Sequence, residues 1–280
     1  MSTHTVGAMG THIMGATITL TAGATITLTA GTNAPTHTIM TTTDDAFLTA
    51  LRLSDSFLPV GAYTASYGVE QFVNEGRVET PAELGELIEG YLRRIVGPAD
   101  TVALAAAHRA TVAGDVDGVL AADERLHAAT LPAECRESAT KAGTKLLELF
   151  RETDGDLFGE PDSNAGSVAA AFAAAVSNGE TPGSYPVALG VVTARAGLDR
   201  RTACLVGAYS FVTELLGAAQ RLGRFGHTAV QTILAALRPV AREVCDAHVD
   251  ADLDRLASFA PLVETMSMRH ERADRRLFMS

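Results

Sequence analysis

The chain has 280 residues, 47% of them hydrophobic, with a net charge of −11 and an isoelectric point near 5.1. That length supplies one large core or two small ones. The acid excess excludes general nucleic-acid binding, which needs basic surface to release counterions from phosphate.

Of the 22 basic residues only Lys141 and Lys145 are lysines, which fits either a salt-rich cytoplasm or a high-GC genome. Cys135, Cys204 and Cys245 are far apart and odd in number, so they form no disulfide framework and fit a reducing cytoplasm. No apolar run reaches the roughly 20 residues of a membrane span, and the start lacks the pattern of a secretory signal.

The N-terminal stretch stands apart. ATITLTAG occurs at Ala16–Gly23 and again at Ala24–Gly31. Thr alternating with Ile and Leu suits strands locally, but two short repeats make no solenoid. We read residues 1–43 as a Thr/Gly-rich, disordered leader, with Met40 resembling a natural start. His4, His12 and His37 are scattered and set up no metal site.

From Asp44 the period is helical, and residues 44–280 read as a single all-α domain of about eight to ten helices without significant sheet. The first helix runs through Phe47, Leu48 and Leu51, and Pro59 and Gly61 break the chain after it. Thr80-Pro81-Ala82-Glu83 is a capping box with proline in the first turn. Leu84, Leu87, Ile88, Tyr91, Leu92 and Ile95 then form one apolar stripe, which Gly97-Pro98 is expected to end. Further helices are expected over 100–112, 115–130, 132–151, 164–176, 185–196, 200–222 and 228–247, with loops at 155–163 and 178–184.

Catalytic signatures are absent from the pattern. Gly143-Thr144-Lys145 has the wrong order for a phosphate-binding loop, and Asp274 stands where a His270-Glu271 zinc motif needs its second histidine. Cys245 and His248 share a helix face but give two metal ligands at most. Glu70 follows a glycine turn with no second carboxylate beside it; it reads as a base, a helix-start carboxylate or a contact point. In the ending RHERADRRLFMS, arginines Arg269, Arg272, Arg275 and Arg276 precede Leu277 and Phe278. Arginine beside large apolar side chains is typical of interfaces, so this tail reads as a partner-docking segment.

These residues resemble a known family. LRLSDSFLPVGAYTASYGVEQFV, residues 51–73, resembles the N-terminal motif of the urease accessory proteins UreF, with Tyr63, Ser66 and Gly68-Val69-Glu70 as its aromatic, serine and Gly-hydrophobic-Glu end. LPAECRESATKAGTKLLEL (131–149), PVALG (186–190) and AAQRLGRFGHTAVQTIL (218–234) follow in family order. In the last of these Gly226 and Gln231 match, while His227 replaces a glutamine. The ending matches at His270, Glu271, Arg276, Leu277, Phe278 and Ser280.

The resemblance implies an all-helical, non-catalytic homodimer that assembles with UreD (UreH), the GTPase UreG and apo-urease to promote nickel insertion. Nickel and GTP then act through the partners, and no residue of this chain is assigned to a metal. The implied partner-binding set is Tyr63, Ser66, Glu70, Arg221, Arg224, Gly226, His227, Gln231, His270, Arg275, Arg276, Leu277, Phe278 and Ser280. An alternative is activation of UreG by an arginine in trans, with Arg221 and Arg224 as candidates. A third reading, a small-molecule-binding bundle, would use Glu70, His108 and His127.

Overall fold

The computed structural model describes residues 10–13, 16–21, 25–30, 37–40, 43–61, 66–157, 164–273 and 276–278. The chain divides into two units, Met1–Asp44 and Asp45–Ser280.

In the first unit, β1 (Gly10–Ile13), β2 (Ala16–Thr21), β3 (Thr25–Ala30) and β4 (His37–Met40) form an antiparallel sheet in sequence order. The two repeats pair with each other, Ile18 opposite Leu28 and Leu20 opposite Ile26. The same Thr/Ile/Leu alternation that repeats along the chain matches apolar positions across it.

The second unit is all-helical, and no strand occurs among its described residues. Its helices are α1 (Asp44–Leu53), α2 (Val69–Asn74), α3 (Pro81–Tyr91), α4 (Val102–Ala113), α5 (Val116–Ala129), α6 (Ala133–Thr153), α7 (Asn164–Ser177), α8 (Tyr185–Arg195), α9 (Arg200–Arg221), α10 (His227–His248) and α11 (Pro261–His270). α4 and α8 lie at the centre, packed on each other, and bury most of their side chains. A helix that is apolar all round belongs inside.

α9 is long and apolar enough to cross a membrane, contrary to the reading of the sequence. Here it packs against α2, α4, α8 and α10 and is a core helix.

α3 starts where its capping box predicts. Thr80 N–H donates to Glu83 Oε2 at 2.9 Å, and Glu83 N–H donates to Thr80 Oγ1 at 3.3 Å. Leu84, Ile88, Tyr91 and Leu92 of its stripe are buried.

The expected stop at Gly97-Pro98 is overturned. A π-helical stretch, Leu92–Thr101, carries the helix through both residues into α4. Proline lacks the N–H that a regular helix would direct to the Arg94 carbonyl. That carbonyl instead accepts from Phe259 N–H at 3.3 Å, and Pro98 O accepts from Ala257 N–H at 3.1 Å. Gly97 has a packing reason of its own. A Cβ there would meet Val244 Cγ1 at 2.5 Å and the His248 ring at 2.7 Å. The pair therefore brings α10 onto a widened helix instead of ending it.

Asp123 of α5 is fully buried and holds the 178–184 loop, accepting from Thr181 Oγ1, Gly183 N–H and Ser184 N–H at 2.6–2.7 Å.

Phe47, Leu48 and Leu51 of α1 remain more than half exposed, while Ala46 and Leu53 face the core.

Candidate docking site

The turn before α2 is left-handed at two successive residues, Tyr67 (φ 48°) and Gly68 (φ 82°). A Cβ on Gly68 would lie 2.9 Å from Ser267 Oγ and 3.1 Å from Ser267 N. Glycine therefore supplies both the backbone conformation and the close approach to α11. The Tyr91 hydroxyl donates to the Tyr67 carbonyl and holds the turn. Glu70 follows in the first turn of α2, at the positive end of the short helix, and its carboxylate reaches the chain end.

That carboxylate gathers three groups. His270 Nε2 lies 2.8 Å from Oε2. Leu277 N–H donates to Oε1 at 2.8 Å and to Oε2 at 3.1 Å, and Phe278 N–H donates to Oε2 at 3.0 Å. The Glu70 and His270 side chains are 6% and 1% exposed. Hydrogen bonds to an ionised, buried carboxylate are the strong kind. Because two of the donors are backbone amides, the clamp grips the tail whatever its side chains.

Further contacts fix the same segment. Arg269 Nη2 lies 2.8 Å from Glu75 Oε1. A hydrogen bond from Gln71, with Arg77 and Arg269 close by, holds the Glu75 carboxyl below its usual range. Glu271 Oε1 accepts from Glu134 N–H at 3.0 Å, at the start of α6. Arg276 pairs with Glu134. The Arg221 guanidinium, at the end of α9, lies 4.8 Å from the centre of the Phe278 ring, a cation–π geometry. Leu277 is left 62% exposed.

The structure thus brings together Glu70, Arg221, His270, Arg276, Leu277 and Phe278 from the expected docking set. Their arrangement differs from an outward docking edge. Ser66, Glu70 and His270 are buried, and Glu70 holds the tail on its own chain. Ser66 Oγ has no hydrogen-bond partner among the described residues. Arg224, Gly226, His227 and Gln231 are exposed on the α9–α10 turn and the start of α10, where His227 contacts the Gln220 amide. Tyr63, Arg275 and Ser280 lie outside the described residues. Glu75 and Glu134 were missed. Each is an ordinary helix acid in sequence, and its arginine partner stands well over a hundred residues away.

The residues considered for other chemistry take structural places. His108 is buried with Nε2 2.9 Å from Leu198 O, and burial lowers its pKa. Cys245 is buried, and its thiol is pushed up to about 12 by burial. His248 packs on Gly97. Among the described residues no group of three or more His, Cys, Asp or Glu is placed to hold a metal ion.

A cavity of about 110 Å³ lies between the π stretch, α6, α8, α9 and α11. Of the three bundle candidates only His127 lines it; Glu70 and His108 do not.

A model of the UreF family matches residues 78–238. The urease accessory protein UreF of Trichodesmium erythraeum (strain IMS101) is 34% identical over 231 residues, covering 82% of this chain and 95% of that protein. The chain belongs to the UreF family. The UreF proteins of Yersinia enterocolitica (serotype O:8 / biotype 1B, strain NCTC 13174 / 8081) and Yersinia pestis (strain Pestoides F) are 33% and 32% identical over 229 residues, each covering 81% of this chain and 95% of the relative. The resemblance read from ordered motif blocks stands, as does the all-helical class of the main unit. The span of the UreF family model holds α3 to the middle of α10, whereas Glu70 and the tail fall outside it.

Proposed function

We propose that this UreF-family chain is a non-catalytic scaffold for urease maturation. In this reading it acts in the cytoplasm as a homodimer and joins UreD (UreH) to the GTPase UreG, so that nickel enters apo-urease. Family membership supports the maturation role. The observation that carries the scaffold reading is the Glu70 clamp, which presents an exposed Leu277 on a chain end held at its backbone. A preset apolar residue next to Arg276 suits a partner surface, because little ordering entropy remains to be lost on binding. The exposed face of α1 is surface that assembly would cover.

Nickel and GTP act through the partners in this proposal. UreD engages the tail, and UreG engages the exposed α9–α10 turn around Arg224, His227 and Gln231. Arg224, exposed beside Gly223, also favours a second reading in which it enters the UreG active site and speeds hydrolysis.

Co-purification with UreD and UreG, with and without residues 271–280, tests the scaffold. Loss of UreD from a folded, truncated chain is expected. A full-length chain that binds neither partner in any nucleotide state overturns the proposal. Arg224→Ala separates the two readings: loss of stimulated GTP hydrolysis in an intact complex identifies activation, whereas unchanged hydrolysis leaves scaffolding alone.

A further inference from the structure

Asp100, in the π stretch, and Glu214, in α9, both line the interior cavity. Neither carboxylate makes a hydrogen bond or ion pair among the described residues. Both are half-buried by area, and both face the cavity. An ionised carboxylate without a partner in such a place is costly. Glu214 also lines a second recess, of about 70 Å³, together with Asp55 and Arg221. Tyr67 precedes α2, Tyr91 ends α3 and Tyr185 opens α8; burial raises the pKa of all three. The Cys135 and Cys204 thiols are likewise raised by burial. Arg136 lines the cavity, but its guanidinium is bonded to the Thr130 and Leu131 carbonyls. His127 from α5 and Glu264 from α11 complete the titratable lining.

We propose that Asp100 and Glu214 make this cavity an internal protonation switch: both acids are neutral when protonated, and their ionisation hydrates the cavity and loosens α11 against α6. Each carboxyl gives its proton to solvent as it ionises. The space holds roughly three or four waters at about 30 Å³ each, and it reaches the surface beside exposed Leu131. Val263, Glu264 and Ser267 of α11 form part of its wall. α11 also carries His270, so loosening it weakens the hold on the tail.

Burial pushes Asp100 up to about 7 and Glu214 up to about 8. Both folded values lie above those of the unfolded chain, so between them the folded state binds more protons. Stability contributed by the pair is therefore full below the ordinary carboxylate range. It falls as pH rises and is lost once pH passes about 7 for Asp100 and about 8 for Glu214.

The test is a series of thermal melts from about pH 5 to about pH 9 on the wild-type chain, Asp100→Asn, Glu214→Gln and the double variant. The wild type is expected to lose several degrees more than the double variant across this range, with the double variant the more stable at the alkaline end. Hydrogen exchange over 258–270, corrected for its intrinsic pH dependence, is expected to quicken with pH in the wild type only. Carbon-13 NMR of the wild-type carboxyls gives the answer without any variant. Two carboxyls titrating near neutrality support the switch, whereas all carboxyls titrating in the ordinary acid range overturn it. Parallel melting curves for the wild type and a folded double variant also overturn it.

Discussion

Glu70 ties the Tyr67–Gly68 turn to Leu277 and Phe278 near the end of the chain. Its carboxylate accepts from two backbone amides and faces the His270 ring. Glu70→Ala leaves those donors without their buried acceptor, which costs about 1–3 kcal/mol for each that stays unsatisfied. We expect the tail to detach, read as faster proteolysis and hydrogen exchange at 271–278 with α4 and α8 unchanged. Glu70→Gln keeps an acceptor and is expected to fall between wild type and alanine. Asp123 is the comparable case inside the unit: it satisfies three donors of one loop. Asp123→Ala is expected to cost about 3 kcal/mol or more, measured by denaturant unfolding. A loss below about 1 kcal/mol would mean that water replaces the carboxylate.

Among the elements, the helix from α3 through the π stretch to α4 shows how local rules and packing divide the work. Thr80→Ala removes one half of a capping box and is expected to cost about 1 kcal/mol. Gly97→Val places new atoms where Val244 and His248 already stand. It is expected to cost about 2–3 kcal/mol as overpacking, with the largest rise in hydrogen exchange in α10. An unchanged melting temperature in Gly97→Val would show that α10 can move off the π stretch freely. α1 offers the contrast. Phe47, Leu48 and Leu51 follow a helical period, yet they lie outside the core. Period alone fixes that residues share a face, and does not say what covers the face.

Among the residues whose burial is described, the hydrophobic core of the second unit draws on Ala46 to Met266. Because the second unit has a core of its own, a chain begun at residue 40 is expected to unfold cooperatively within about 2 °C of the full chain, a shift worth less than about 1 kcal/mol for a domain of this size. A larger drop in a melting experiment would show that the first unit contributes to the fold. Acid chemistry also spreads to this scale. The cavity carboxylates give stability that decreases toward alkaline pH, whereas Glu75, held low by its partners, favours folding above the ordinary carboxylate range.

By itself the sequence determined most of the helices, though not α11, because apolar spacing and the Thr80 capping box act over a few residues. It also carried the UreF resemblance, because motif order along a chain needs no coordinates. The tertiary structure decided where those motifs meet. Glu70 and Phe278 stand 208 residues apart, and Arg276 and Glu134 142 apart; no local pattern pairs them. The same holds for Gly97-Pro98, which a local rule reads as a helix end. The neighbouring chain at Ala257–Phe259 takes up the freed carbonyl, and α10 fills the space that a side chain would have needed.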